Sequence, residues 1–176
     1  MIPASLVGPP VIKNLVKVAC STPQGCFVEV GVYKGGTAWF LSRLAEKQQR
    51  QIFLFDTFTG IPYQGEFDPC EVGKFNETTF DEVRRTIPYA KVVQGIFPQS
   101  VEEQEIDLPD VAFVHIDCDQ YQSIIESCKF LAPLMVKGGI MWFDDYGCLE
   151  GATRAVDELF KNRIETSFCG KVFVRF

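Results

Sequence analysis

The sequence predicts a doubly wound α/β fold: a mostly parallel sheet with helices on both faces and an antiparallel strand at one edge. Three observations predict it. Short runs rich in β-branched and aromatic residues alternate with longer stretches of helical spacing, which is a βαβ repeat. The runs are almost continuously apolar, as strands buried on both faces of a parallel sheet must be. The connections are long enough for right-handed crossovers, which place helices over the sheet.

Each element follows in chain order. Residues 1–25 read as a short helical lead-in. "CFVEVG" (26–31) is the first strand, and Gly35–Gly36–Thr37 turns the chain into the helix "TAWFLSRLAEKQQ". "QIFLFD" (51–56) is the second strand. Residues 57–75 form the one long connection, of the kind that in compact domains serves as a binding loop or lid. "TFDEVRRT" is a helix opened by the capping-box spacing Thr79-x-x-Glu82. "AKVVQG" (90–95) and "VAFVHID" (111–117) are strands three and four, and "YQSIIESCKFLAPL" is a helix closed by Pro133 and Gly138–Gly139. "GIMWFDD" (139–145) is the fifth strand. In "GATRAVDELFKNR", Ala152, Ala155, Val156, Leu159 and Phe160 share one helical face. "TSFCGKVFVRF" reads as two short strands about Cys169–Gly170, the antiparallel addition at the sheet edge.

Length and composition bound the function. A chain of 176 residues is one ordinary domain. With 47% hydrophobic and 23% charged residues and no apolar window of membrane-spanning length, a soluble globular protein is expected, with no membrane partner. The N-terminus lacks the basic start, apolar stretch and cleavage site of a secretory signal, so the expected location is the cytoplasm. Seven cysteines at 20, 26, 70, 118, 128, 148 and 169 form no C-x-x-C pair, which suits free thiols in a reducing compartment. A net charge of -6 and a pI near 4.9 argue against a nucleic-acid partner and favour a small-molecule substrate.

The chemistry is carried by acids. Glu29 lies near the end of the first strand, Asp56 closes the second, Asp117 the fourth, and Asp144–Asp145 the fifth. Ligands of open α/β sheets bind outside those strand ends, near the reversal of strand order. Asp56 stands about twenty residues after the glycine turn, where a carboxylate accepts hydrogen bonds from ribose hydroxyls. The turn "EVGVYKGGT" is not the G-x-G-x-x-G of a dinucleotide site, and its acid suits a positively charged ligand, such as an amino group and sulfonium, better than a diphosphate. Asp117, Asp144 and Asp145 repel one another unless protonated or neutralised by a cation, and an all-oxygen set selects a hard ion, Mg²⁺, Ca²⁺ or Mn²⁺, over zinc.

"VEVGVYKGGTA", "FDTFTGIP", "HIDCDQYQS", "GGIMWFDDYG" and "GATRAVDEL", in this order and spacing, resemble the macrocin O-methyltransferase (TylF-like) family across residues 25 to 165. The resemblance implies a Rossmann-like fold of the class I methyltransferase type, and S-adenosyl-L-methionine and Mg²⁺ as cofactors. It also implies methyl transfer to a hydroxyl of a sugar or other natural product. By residue, it implies that Glu29, Gly31, Gly35, Gly36 and Thr37 hold the methionine part, Asp56 the ribose, and Asp117, Asp144 and Asp145 the metal, with Asp117 doubling as general base. Such enzymes carry a longer region before the first strand that helps build the pocket and the oligomer; about twenty-five residues precede it here, which leaves the acceptor and a homo-oligomeric state open. Catechol-type relatives place a lysine three residues after the first metal aspartate, where this chain has Gln120.

Two other classes share part of the pattern: a non-catalytic nucleoside-binding relative, and a metal-dependent nucleotide-sugar glycosyltransferase using Asp117-x-Asp119. His115 is expected to be packed and hydrogen-bonded on its strand. Ser123 is expected to cap the helix that follows, and Tyr121 to cap it or orient Asp119. Phe58, Tyr63 and Phe67 are candidate pocket aromatics.

Overall fold

The computed structural model describes residues 2–176. Helix α1 (Pro9–Cys20) opens on two prolines, whose fixed φ suits a first helical turn. It is followed by β1 (Cys26–Val30), α2 (Gly36–Lys47), β2 (Ile52–Asp56), α3 (Phe80–Thr86) and β3 (Lys91–Gln94). The chain continues through α4 (Gln99–Glu103), β4 (Val111–Ile116), α5 (Tyr121–Leu131), β5 (Met135–Phe143) and α6 (Glu150–Phe160), ending in β6 (Ile164–Thr166) and β7 (Val172–Arg175). The seven strands form one sheet in the order β3-β2-β1-β4-β5-β7-β6. All pairings from β3 to β5 are parallel, and β7 runs antiparallel between β5 and β6. The doubly wound sheet with an antiparallel edge is therefore as expected.

Side-chain alternation along the strands sorts the interior into two layers. Cys26, Val28, Phe53, Phe55, Val114, Ile116, Met141 and Phe143 face α5 and α6 through Ile124, Cys128, Leu131, Ala155 and Val156. Phe27, Ile52, Leu54, Phe113, Ile140 and Trp142 face α1, α2 and α3 through Leu15, Ala19, Leu41, Ala45 and Val83. The Thr79–Glu82 capping box forms in both directions at the start of α3. All seven cysteines are free thiols.

Two elements differ from expectation. Strand β5 begins at Met135, four residues early, because Met135 pairs with Val111 before a register irregularity leads into Phe113–Ile140. Helix α4, five residues long, has too short an apolar period to be read from sequence.

Strand order reverses between β1 and β4, whose crossovers leave to opposite faces and open a gap at the carboxyl ends. Gly31 makes the closure at the base of that gap. Its amide donates to the Phe55 carbonyl at 2.9 Å, and the Asp117 amide donates to the Val30 carbonyl at 2.9 Å. Gly31 has φ +90°, and any Cβ there would overlap the Asp117 carbonyl. Gly31→Ala is therefore expected to cost about 3 kcal/mol, from left-handed strain plus overlap with a backbone that cannot yield. A urea titration of the purified variant checks this, and a midpoint equal to wild type would mean that β1 and β4 separate freely here.

Candidate active site

A cavity of about 310 Å³ opens at the ends of β1, β2, β4 and β5. Its floor is the row of strand-end acids, and its walls come from the turn after β1, the long connection after β2, and residues 4–7. Glu29, Gly31, Gly36, Thr37, Asp56, Asp117, Asp144 and Asp145 all line it. Gly35 does not: it takes φ +83° as the residue before α2 and backs onto Ile87. Residues Ala4 and Ser5 lie so close over Gly36 that a side chain there would overlap them, and Ser5 Oγ is 3.4 Å from Thr37 Oγ1.

Glu29 and His115 sit opposite each other on β1 and β4. Both are fully buried, and His115 Nδ1 lies 2.7 Å from Glu29 Oε1. Burial raises Glu29, an effect partly offset by its hydrogen bond to His115. Burial alone would depress His115, but the Glu29 hydrogen bond and the charges of Asp117 and Asp144 override it and lift its pKa to about 9. Both groups lie above their ordinary values. His115 is thus packed and hydrogen-bonded, as expected. Glu29 Oε2 remains buried without a partner.

Asp56 uses its carboxylate on backbone. Oδ2 accepts from Val32 N at 2.7 Å and Tyr33 N at 2.9 Å, and Oδ1 accepts from Phe58 N at 2.8 Å. The side chain therefore ties the turn after β1 to the end of β2. Three of the roughly four acceptor positions of a carboxylate are occupied, and one remains.

Asp117, Asp144 and Asp145 converge, with one carboxylate oxygen from each within 4.8 Å of the others. Burial and the charges of Asp145 and Asp144 push Asp117 well above the carboxylate range, against the pull of His115. Burial and Asp144 lift Asp145 to about 6. Asp119 stands outside the trio in a left-handed conformation (φ +63°), and burial with the Asp145 charge lifts it to about 7. Asp144 Oδ1 and Asp145 Oδ2 are buried with no hydrogen-bond partner. Orphaned carboxylate oxygens at this spacing fit a hard divalent cation with oxygen ligands. The grouping also separates Asp117 from Asp119, contrary to a metal motif built on Asp117-x-Asp119.

Sequence reasoning missed the cation already present. Lys171, at the start of β7, donates from Nζ to the Asp144 carbonyl oxygen and to Asp144 Oδ2 at 3.1 Å. It belongs to no local motif; the edge hairpin alone brings it there. The aromatics also differ from expectation. Phe58 is buried against Phe80, while Phe67 stacks edge-on with Tyr121 and lies under Arg154. Tyr63 bonds Ser123 Oγ at 2.9 Å, which takes Ser123 away from capping; α5 has no side-chain cap of its own. Tyr121 donates to Glu158 rather than orienting Asp119. The aromatic residues that line the cavity are instead Tyr33, Phe55, Phe75 and Phe97.

Residues 10–168 match the Macrocin-O-methyltransferase (TylF) family. The chain belongs to that family. Demethyldecarbamoylnovobiocin O-methyltransferase of Streptomyces niveus is 27% identical over 152 residues, which is 76% of this chain and 57% of the relative. The chain thus spans little more than half the length of that curated relative. The O-methyltransferase NovP superposes with a TM-score of 0.81 at 21% identity, over 97% of this chain and 81% of that one. The calicheamicin methyltransferase CalS11 follows at 0.78 and 19%, over 95% and 77%. An O-methyltransferase from Bacillus cereus in complex with SAH gives 0.67 and 15%, over 99% and 84%. These likenesses establish the class I methyltransferase fold. No helix among the described residues is long and apolar enough to cross a membrane.

Lys171 and His115 both offset the charge on Asp145. Lys171→Met is expected to lower stability by about 2 kcal/mol, roughly 4–8 °C in Tm for a chain of this length, with partial recovery in Lys171→Arg. Thermal melts in chelator check it. Equal melting of Lys171→Met and wild type would show that the cluster needs no counter-charge.

Proposed function

We propose that the protein is an S-adenosylmethionine-dependent, Mg²⁺-assisted O-methyltransferase acting on a hydroxyl of a small molecule, a sugar or other natural product. The observation that carries this reading is one cavity holding two unlike sets of acceptors. Glu29, Gly31, Gly36, Thr37 and Asp56 lie on the β1–β2 side, and the Asp117–Asp144–Asp145 trio lies on the β4–β5 side. Family membership and the O-methyltransferase relatives support it.

S-adenosylmethionine supplies an electrophilic methyl group when bound, and Mg²⁺ the charge that holds a substrate oxygen. The rest is done by the chain. The orphaned Glu29 Oε2 accepts from the amino group of the methionine part, and the free acceptor position of Asp56 takes a ribose hydroxyl. The N-terminal segment over Gly36 and Thr37 excludes water from that side. Asp117, Asp144 and Asp145 hold the cation through the oxygens that lack other partners. Asp117, which follows β4 between β1 and β5 and is raised well above its ordinary value by burial, takes the hydroxyl proton at its carboxylate.

Calorimetry with S-adenosylhomocysteine tests the first half. Stoichiometric binding is expected, changing less than about threefold after chelation, because the two acceptor sets sit on different strands; absence of binding would sink the reading.

Asp117→Asn is expected to slow methyl transfer to a vicinal diol or sugar hydroxyl by about 10²-fold or more and to weaken Mg²⁺, with cofactor affinity nearly unchanged. Asp119→Asn should do less to metal binding. The reverse pattern would move the base and ligand to Asp119.

A further inference from the structure

The connection between β2 and α3 is irregular throughout, yet Asp68 within it is only 5% exposed. Its Oδ1 accepts from the backbone N of Tyr121, the first residue of α5, at 2.9 Å. Its neighbour Phe67 accepts at its carbonyl from the backbone N of Gly151, in the first turn of α6, at 3.2 Å. Gly151 is required there, since a Cβ would take the place of Asp68 Oδ1, and Gly65 makes room on the other side, where a Cβ would lie 2.6 Å from Oδ2. The starts of two helices thus converge on one dipeptide, and a carboxylate is what their unpaired amides and dipoles favour. Oδ2 is buried without a partner.

The position matters because of what precedes those helices. Asp117 and Asp119 lie just before α5, and Asp144 and Asp145 just before α6. Only residues 118–120 separate Asp117 from α5, and residues 146–149 separate Asp145 from α6. Further contacts fasten the same segment to the first turn of α5: Gln120 Nε2 donates to the Tyr63 carbonyl, Tyr63 Oη bonds Ser123 Oγ, and Phe67 packs on Tyr121.

We propose that Asp68 is a positioning residue that locks the two acid-bearing turns in register and thereby sets the affinity of the carboxylate trio for a divalent cation. The inference rests on the reading that this trio takes Mg²⁺. Groups that orient metal ligands from behind typically contribute 10- to 100-fold to metal affinity. Asp68 makes no hydrogen bond to the turn after β1 or to Asp56, so the nucleoside side of the cavity stands apart from it.

The test titrates MgCl₂ and S-adenosylhomocysteine separately by calorimetry into wild type, Asp68→Ala, Asp68→Asn and Gly151→Ala. Asp68→Ala is expected to weaken Mg²⁺ about 10-fold or more and to change S-adenosylhomocysteine affinity less than about twofold. Asp68→Asn keeps an acceptor for the Tyr121 amide and should recover most of the Mg²⁺ affinity. Gly151→Ala, which displaces the carboxylate from the α6 side, should reproduce the loss even if Asp68→Ala proves poorly folded. Unchanged Mg²⁺ affinity in Asp68→Ala and Gly151→Ala overturns the inference, as does parallel loss of both ligands, which marks a general structural support. A wild type that binds Mg²⁺ but no S-adenosylhomocysteine overturns the proposed function while leaving Asp68 to the Mg²⁺ comparison. A wild type that binds S-adenosylhomocysteine but no Mg²⁺ overturns the inference together with the Mg²⁺ assistance in the proposed function, and leaves the cofactor half of that function standing.

Discussion

The contact between Gly31 and the Asp117 backbone is the constraint on which the site depends. Strands β1 and β4 must stay paired up to that point and then diverge, because their crossovers leave to opposite faces of the sheet. A side chain at residue 31 would open the pairing early. With it in place, Glu29 and His115 stay in register one layer below, and Asp117 emerges at the edge of the gap.

Electrostatics then follows from topology. Parallel strands ending together bring their terminal acids together, and burial with the neighbouring charges raises Asp117 and Asp145. Lys171 and His115 offset part of that repulsion, and Asp144 Oδ1 and Asp145 Oδ2 stay buried without partners. Acids raised above their ordinary pKa values and buried oxygens without partners are features that functional sites concentrate.

Much of this was legible in the sequence because it is local. Strands β1, β2, β4 and β5 are apolar runs, the capping box at Thr79 is a four-residue pattern, and the acids follow directly on strand ends. Apart from the short α4 and Gly35, the misreadings are nonlocal. Phe58 looks like a loop aromatic until its neighbour Phe80 is known, and Ser123 looks like a cap until Tyr63 reaches it from sixty residues away. Lys171 and Asp68 stand in no motif and gain their importance only when the edge hairpin and the long connection fold back over the acids. The Glu29–His115 pair spans eighty-six positions and exists only through strand register.

The long connection has a further property at its neck. Gly73 N donates to the Ile61 carbonyl, and Ile61 N donates to the Lys74 carbonyl, both at 2.9 Å, so residues 62–72 are closed off as a loop upon a two-bonded stem. The cavity walls Gly60, Ile61 and Phe75 lie at or below that stem. Between Asp68 and Gly73, Lys74 of the stem holds Glu71 and Cys70, its N donating to the Glu71 carbonyl at 3.2 Å and its Nζ to Cys70 Sγ at 3.4 Å, while Val72 is exposed at the tip. Natural variation can lengthen or shorten the chain there while the walls keep their places, because closing a somewhat longer surface loop costs little. Selection is then free to remodel the rim of this site without rebuilding its floor.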